Sequence, residues 1–117
     1  MRADVTVHTC DLSAVARSAA GTAWSRETEQ LDATLLAWPA GHVVEEHVNT
    51  EREVLLVGVA GQAAVEVDGE VHELRPATIV LIPRGARRRI ECGAAGSSYL
   101  SVHVARGPLQ LRPRARQ

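Results

Sequence analysis

Residues 65–71 read Val-Glu-Val-Asp-Gly-Glu-Val, two short runs of alternating apolar and charged side chains joined by Asp68-Gly69. Asp-Gly accommodates the positive φ angles of a tight primed turn, so this stretch predicts a β-hairpin. The same texture continues outward in both directions. Leu31–Trp38, Val43–Val48, Glu53–Val59, Gln62–Val67, Val71–Leu74, Thr78–Ile82, Arg87–Glu91 and Tyr99–Ala105 are short segments, most of them rich in Val, Leu, Ile and Thr. Breakers separate them: Pro39-Ala-Gly41, Asn49-Thr50, Gly61, Arg75-Pro76, Pro83-Arg-Gly85 and Gly93–Ser98. Eight short strands with closely spaced turns predict an all-β barrel or sandwich.

The N-terminal 1–30 segment reads differently, as an extension of the 31–106 barrel. Val5–Thr9 has the composition of a short strand. Asp11 is placed to cap a helix carrying Leu12, Val15, Ala16 and Ala19 at helical spacing, with Gly21 just past its end. Residues 107–117 carry Arg112, Arg114, Arg116 and two prolines, a composition that predicts a basic tail with little order.

At 117 residues and 45% hydrophobic, the chain has room for one domain with one core. Its 13 basic residues are all Arg, which excludes a Schiff-base Lys and a Lys-dependent phosphate loop. Trp24, Trp38 and Tyr99 are the only aromatics, too few for a row of base-stacking side chains. A net charge of −1 also argues against a nucleic-acid partner. Cys10 and Cys92 form neither a disulfide framework nor a C-x-x-C pair. No apolar run approaches the ~20 residues of a membrane span. Asp4, His8 and Asp11 interrupt any secretory h-region. A cytoplasmic protein with reduced thiols and no membrane partner is the expectation.

The decisive spacing lies between 41 and 89. Gly41 is followed by five residues, His47-Val-Asn49, three residues, Glu53, and seven residues to Gly61. Further on, Ala77 precedes five residues, Pro83-Arg-Gly85, two residues and Arg88. This pair of stretches resembles the two motifs of the cupin family, small jelly-roll barrels also described as double-stranded β-helices. The two motifs cover under half of the chain. The resemblance implies an inward-facing metal set of three His and one Glu, and it implies a homodimer. Here His47 and Glu53 occupy ligand positions, while Asn49 and Arg88 stand where the family has its second and third His. Asn coordinates weakly through its carbonyl oxygen, and Arg has no lone pair to offer. No metal is therefore expected.

If alternation holds, Glu45 shares the inward face with His47, and Glu53, Leu55 and Val57 share another. Two readings of Arg88 stay open. In one it forms an internal ion pair with Glu53 or Glu45. In the other it recognises an anionic ligand, with Glu45, His47, Asn49 and Glu53 around it. Arg87, Arg89 and Glu91 fall on the opposite, solvated face.

Three functions follow from these residues. The first is a binding module for a small polar or anionic molecule. The second is a metal-dependent oxygenase, isomerase or lyase, with Zn, Fe, Ni or Mn held by His47, Glu53 and either His42 or His103. The third is a ligand-free structural or regulatory barrel. The run Val54–Val57 is apolar on both faces, so a homodimer is expected to cover its outer side, assigned to Val54 and Leu56.

Overall fold

A computed structural model describes residues 6–17 and 20–105. It contains α1 (Leu12–Ala16) and seven strands: β1 (Gly21–Glu27), β2 (Leu31–Trp38), β3 (Val43–Val48), β4 (Val54–Val67), β5 (Glu70–Leu74), β6 (Ile79–Ile82) and β7 (Arg87–Val104). Among the described residues no helix is long and apolar enough to cross a membrane.

Two long strands, β4 and β7, organise everything else. They pair antiparallel from Leu55 opposite Val102 to Val67 opposite Arg88. At one end β6 flanks β4 and β2 flanks β7, with β1 outside β2. At the other end β5 flanks β4 through the Asp68-Gly69 turn, and β3 flanks β7. The long strands thus pass through two sheets, and their inner faces close on one core. Val54, Leu56, Ile82 and Tyr99 come from one sheet; Ala63, Val65, Leu74, Ile90 and Cys92 come from the other. This is the all-β jelly roll that the sequence predicts.

The merging of segments is a correction to the sequence reading. Gly61 and Gly93–Ser98 are not breaks but the places where β4 and β7 bend. Register shifts fall between Gly58 and Ala60 and between Gly61 and Ala63. A bulge inserts a residue, bends the strand and reverses the alternation phase. Leu56 and Val65, of opposite parity, accordingly both reach the core. The backbones nearly touch there: a Cβ on Gly61 would lie 2.1 Å from the Gly96 carbonyl oxygen.

At the N-terminus Asp11 does cap α1, its carboxylate accepting from the Ala14 N–H at 3.2 Å. Gly21 begins β1 rather than ending the helix, and β1 itself carries no clear sequence signal. Residues 6–9 form no strand, while Val5 and the 107–117 tail lie outside the described residues.

Candidate functional site

His47 and Arg88 are direct cross-strand partners on β3 and β7, so their side chains leave the sheet on the same face. For Arg88 that face is the inner one, because Ala86 and Ile90, two residues to either side of it, belong to the core, whereas His47 at the end of β3 is exposed. Val44 also packs on the core, opposite Ile90. Between Val44 and His47 the register shifts, so Glu45 is not carried inward by alternation and is exposed. Its neighbour Glu46 pairs with Arg87 at 2.7 Å.

The remaining motif residues do not converge on Arg88. Asn49 uses its side-chain oxygen to accept the backbone N–H groups of Glu51 (3.1 Å) and Arg52 (3.0 Å), an Asx turn that sets up the entry to β4. Val54 and Leu56 face the core, so Glu53 and Leu55 face outward, against the expected inward Glu53. Glu53 lines an outer groove with Leu55 and Leu81. His103 lines the same groove, with Nε2 3.9 Å from the Asp32 carboxylate. His42 stacks on Trp38 instead, with ring centroids 4.1 Å apart and planes at 8°.

This donor set does not fit a divalent ion. The Asn49 oxygen is committed to its turn, Glu53 lines the outer groove rather than the face of Arg88, and a permanent cation occupies the fourth position. Among the described residues no three His, Cys, Asp or Glu side chains cluster closely enough to hold a metal.

Arg88 itself is half-buried, and the ion pair with Glu53 or Glu45 does not form. Among the described residues its guanidinium has neither a carboxylate at ion-pair distance nor a hydrogen-bond acceptor. Burial pushes its pKa down, and the nearby Tyr99 phenol opposes that shift. Arg87 and Arg89, by contrast, are paired, with Glu46 and with Glu91 at 3.3 Å.

Tyr99 and Trp38 are the interior polar groups that sequence reasoning missed. The Trp38 Nε1–H donates to the Tyr99 hydroxyl oxygen at 3.0 Å, leaving the phenol O–H free to donate. The available signal was chemical: a lone Tyr in an apolar strand needs a polar partner once buried. Tyr99 is 1% exposed, and burial pushes its pKa up to about 12 despite the opposing effects of Trp38 and Arg88.

The sign follows from the neutral phenol being favoured in the fold. Its contribution is complete below pH ~10, the unfolded value, and is lost as pH rises towards ~12, in all about 3 kcal/mol. Because Tyr99 is the chain's one tyrosine, its phenolate absorbance reports it alone. The expected native midpoint is about 12, against ~10 in denaturant; a native midpoint near ~10 would show an exposed phenol.

Comparison with solved structures gives the same architecture. A protein described as TT1209 from Thermus thermophilus superposes with a TM-score of 0.73 at 23% identity, covering 86% of this chain and 99% of that one. The Cnp3 cupin domain of Schizosaccharomyces pombe superposes at 0.65 and 18% identity, over 79% and 69% of the two chains. An RmlC-like cupin from Shewanella frigidimarina does so at 0.62 and 20% identity, over 68% and 71%.

The chain has the cupin fold.

No family model and no curated protein matches the sequence. At these identities the likeness carries the fold alone, and cupin barrels host many unrelated activities. What this chain does has to be argued from its own site.

Proposed function

We propose that this cupin is a binding module that takes a small anion at Arg88 and needs no metal to do so. The observation that supports the reading is the half-buried, unpaired guanidinium on the inner face. Holding a charge in a low-dielectric site without a partner is costly, and an anionic ligand removes that cost. The planar fork of Arg suits a carboxylate or phosphate oxygen pair.

Arg87 and Arg89, on the opposite face, are paired with Glu46 and Glu91, so the unpaired charge of this stretch resides on Arg88. His47, opposite Arg88, offers a hydrogen bond beside it. A cytosolic setting, which keeps Cys10 and Cys92 reduced, accompanies the proposal.

The test is calorimetric titration of chelator-treated protein with inorganic phosphate and, separately, with oxalate. Saturable binding to at least one of them, unchanged by chelation, is expected. Absence of binding to both, or binding that appears only when a divalent ion is added, overturns the reading.

A further inference from the structure

The outer face of the β2-β7-β4-β6 sheet is apolar, and one end of it is open. Leu55 lies opposite both Leu81 and Val102 there, and Leu31 lies opposite Val104. Leu31 is 53%, Leu81 58% and Val104 61% exposed. Farther along β2 the same face is buried at Leu35 and Ala37, beside α1. This corrects the sequence expectation in detail: the uncovered face is that of Leu55 and Val57, while Val54 and Leu56 are core.

The open end is also where the chain leaves the barrel. Val104 closes β7 and its carbonyl accepts from Arg52 Nη1 at 3.3 Å, while the Ala105 N–H donates to the Gln30 carbonyl at 3.0 Å. Residue 106 therefore departs beside a groove of about 550 Å³ whose lining joins Leu55, Leu81 and Val102 to Glu51, Glu53 and Arg84. Among the described residues neither Glu51 nor Glu53 has a cation at ion-pair distance. Acidic groups prevail around the exit. Glu27, Glu29 and Asp32 of the β1-β2 hairpin, with Glu51 and Glu53, outnumber Arg26, Arg52 and Arg84. Of these cations Arg26 lies over the Trp24 ring and Arg52 is tied to Val104; His103 stands 3.9 Å from Asp32.

Residues 106–117 read Arg-Gly-Pro-Leu-Gln-Leu-Arg-Pro-Arg-Ala-Arg-Gln, with two leucines, four arginines and no acid. We infer that this segment folds back on its own barrel, seating Leu109 and Leu111 in the groove against Leu55, Leu81 and Val102, with its arginines beside Glu51 and Glu53. Gly107-Pro108 is a turn dipeptide placed directly after the exit. Leu109 and Leu111 are two positions apart, so an extended chain presents both to one face and Gln110 to the other. The reach suffices. β6 lies two strand spacings from β7, ~10 Å, whereas Leu111 can stand up to ~20 Å from Ala105 at ~3.3 Å per residue. Tethering holds the segment at an effective concentration of about mM, so a few contacts suffice to keep it in place. Because Arg88 is on the inner face, this inference stands or falls separately from the barrel site.

Trypsin reads the docking on the intact chain. Cleavage after Arg106 requires the segment to leave the groove, so its rate follows the population of the open form. The full chain carrying both Leu109→Ser and Leu111→Ser should be cut there about tenfold faster than the unaltered chain, each rate taken relative to the same chain unfolded in urea. Equal relative rates overturn the inference. Leu81→Ser changes an exposed groove residue and should give the same acceleration with an unchanged circular-dichroism spectrum. A folded Leu81→Ser variant that is cut as slowly as the unaltered chain places the segment elsewhere and overturns it. Protection should persist on dilution. Protection that fades on dilution would mean that another molecule covers the groove, and overturns it as well.

Discussion

Gly61→Ala is expected to remove most of the stability of this fold, about 4 kcal/mol or more, by combining two of the mechanisms that produce large losses. The φ of Gly61 is +65°, a region that disfavours any side chain. A Cβ there would also sit 2.1 Å from the Gly96 carbonyl oxygen and 3.2 Å from the Ser97 Cα. Both obstacles are backbone, so relief requires β7 to move away from β4 at the point where the two strands bend together. Gly69→Ala is the control. Its φ is +87°, yet nothing lies within 4 Å of the added carbon, so only the conformational term remains, about 1–2 kcal/mol. Urea denaturation of the two variants separates crowding from backbone strain. Equal losses would mean that the close passage of β4 and β7 does not hold this barrel together.

That passage also explains what could and could not be read from the sequence. The Val65–Val71 hairpin was legible because alternation and Asp-Gly chemistry agree there. The fold was legible because the spacing from Gly41 to Glu53 and the Pro83-Arg-Gly85 turn depend on backbone geometry. Which face each side chain takes was less so. Val54-Leu-Leu-Val57 is apolar at every position, so nothing in it tells inside from outside, and the motif spacing alone gives Glu53 the wrong parity. Alternation also assumes a constant period, whereas the irregularity between Val44 and His47 inserts a step that sends His47 towards Arg88 without bringing Glu45 along. Asn49 looks like a weakened ligand in the sequence, but its side chain caps a turn. The Trp38–Tyr99 hydrogen bond joins residues 61 positions apart, beyond the reach of any local pattern.

Arg88→Met is the second substitution with a large expected effect, and its two readouts move in different directions. Anion affinity should fall by about a hundredfold, in line with the ~2–5 kcal/mol that truncating one member of a buried charge pair removes. Stability measured without anion should not fall, and a rise of about 1–2 kcal/mol is expected. Arg88 leaves no carboxylate behind when it is removed, and Met fills similar space without a desolvated charge. An internal pair with Glu53 or Glu45 would give the opposite result, a loss of about 3–5 kcal/mol. Urea denaturation in anion-free buffer decides between them.

The central claim is that the inward Arg88 is the anion-recognising group of a metal-free barrel. Nuclear magnetic resonance of the arginine Nε–H groups tests it most directly, with Arg88→Met identifying the Arg88 signal. The protein is stripped of divalent ions and titrated with inorganic phosphate and with oxalate. The expected result is a saturable shift of the Arg88 signal with at least one of these anions, larger than that of any other of the 13 arginines. An Arg88 signal that stays still with both anions, or moves only after a divalent ion is restored, would contradict the account.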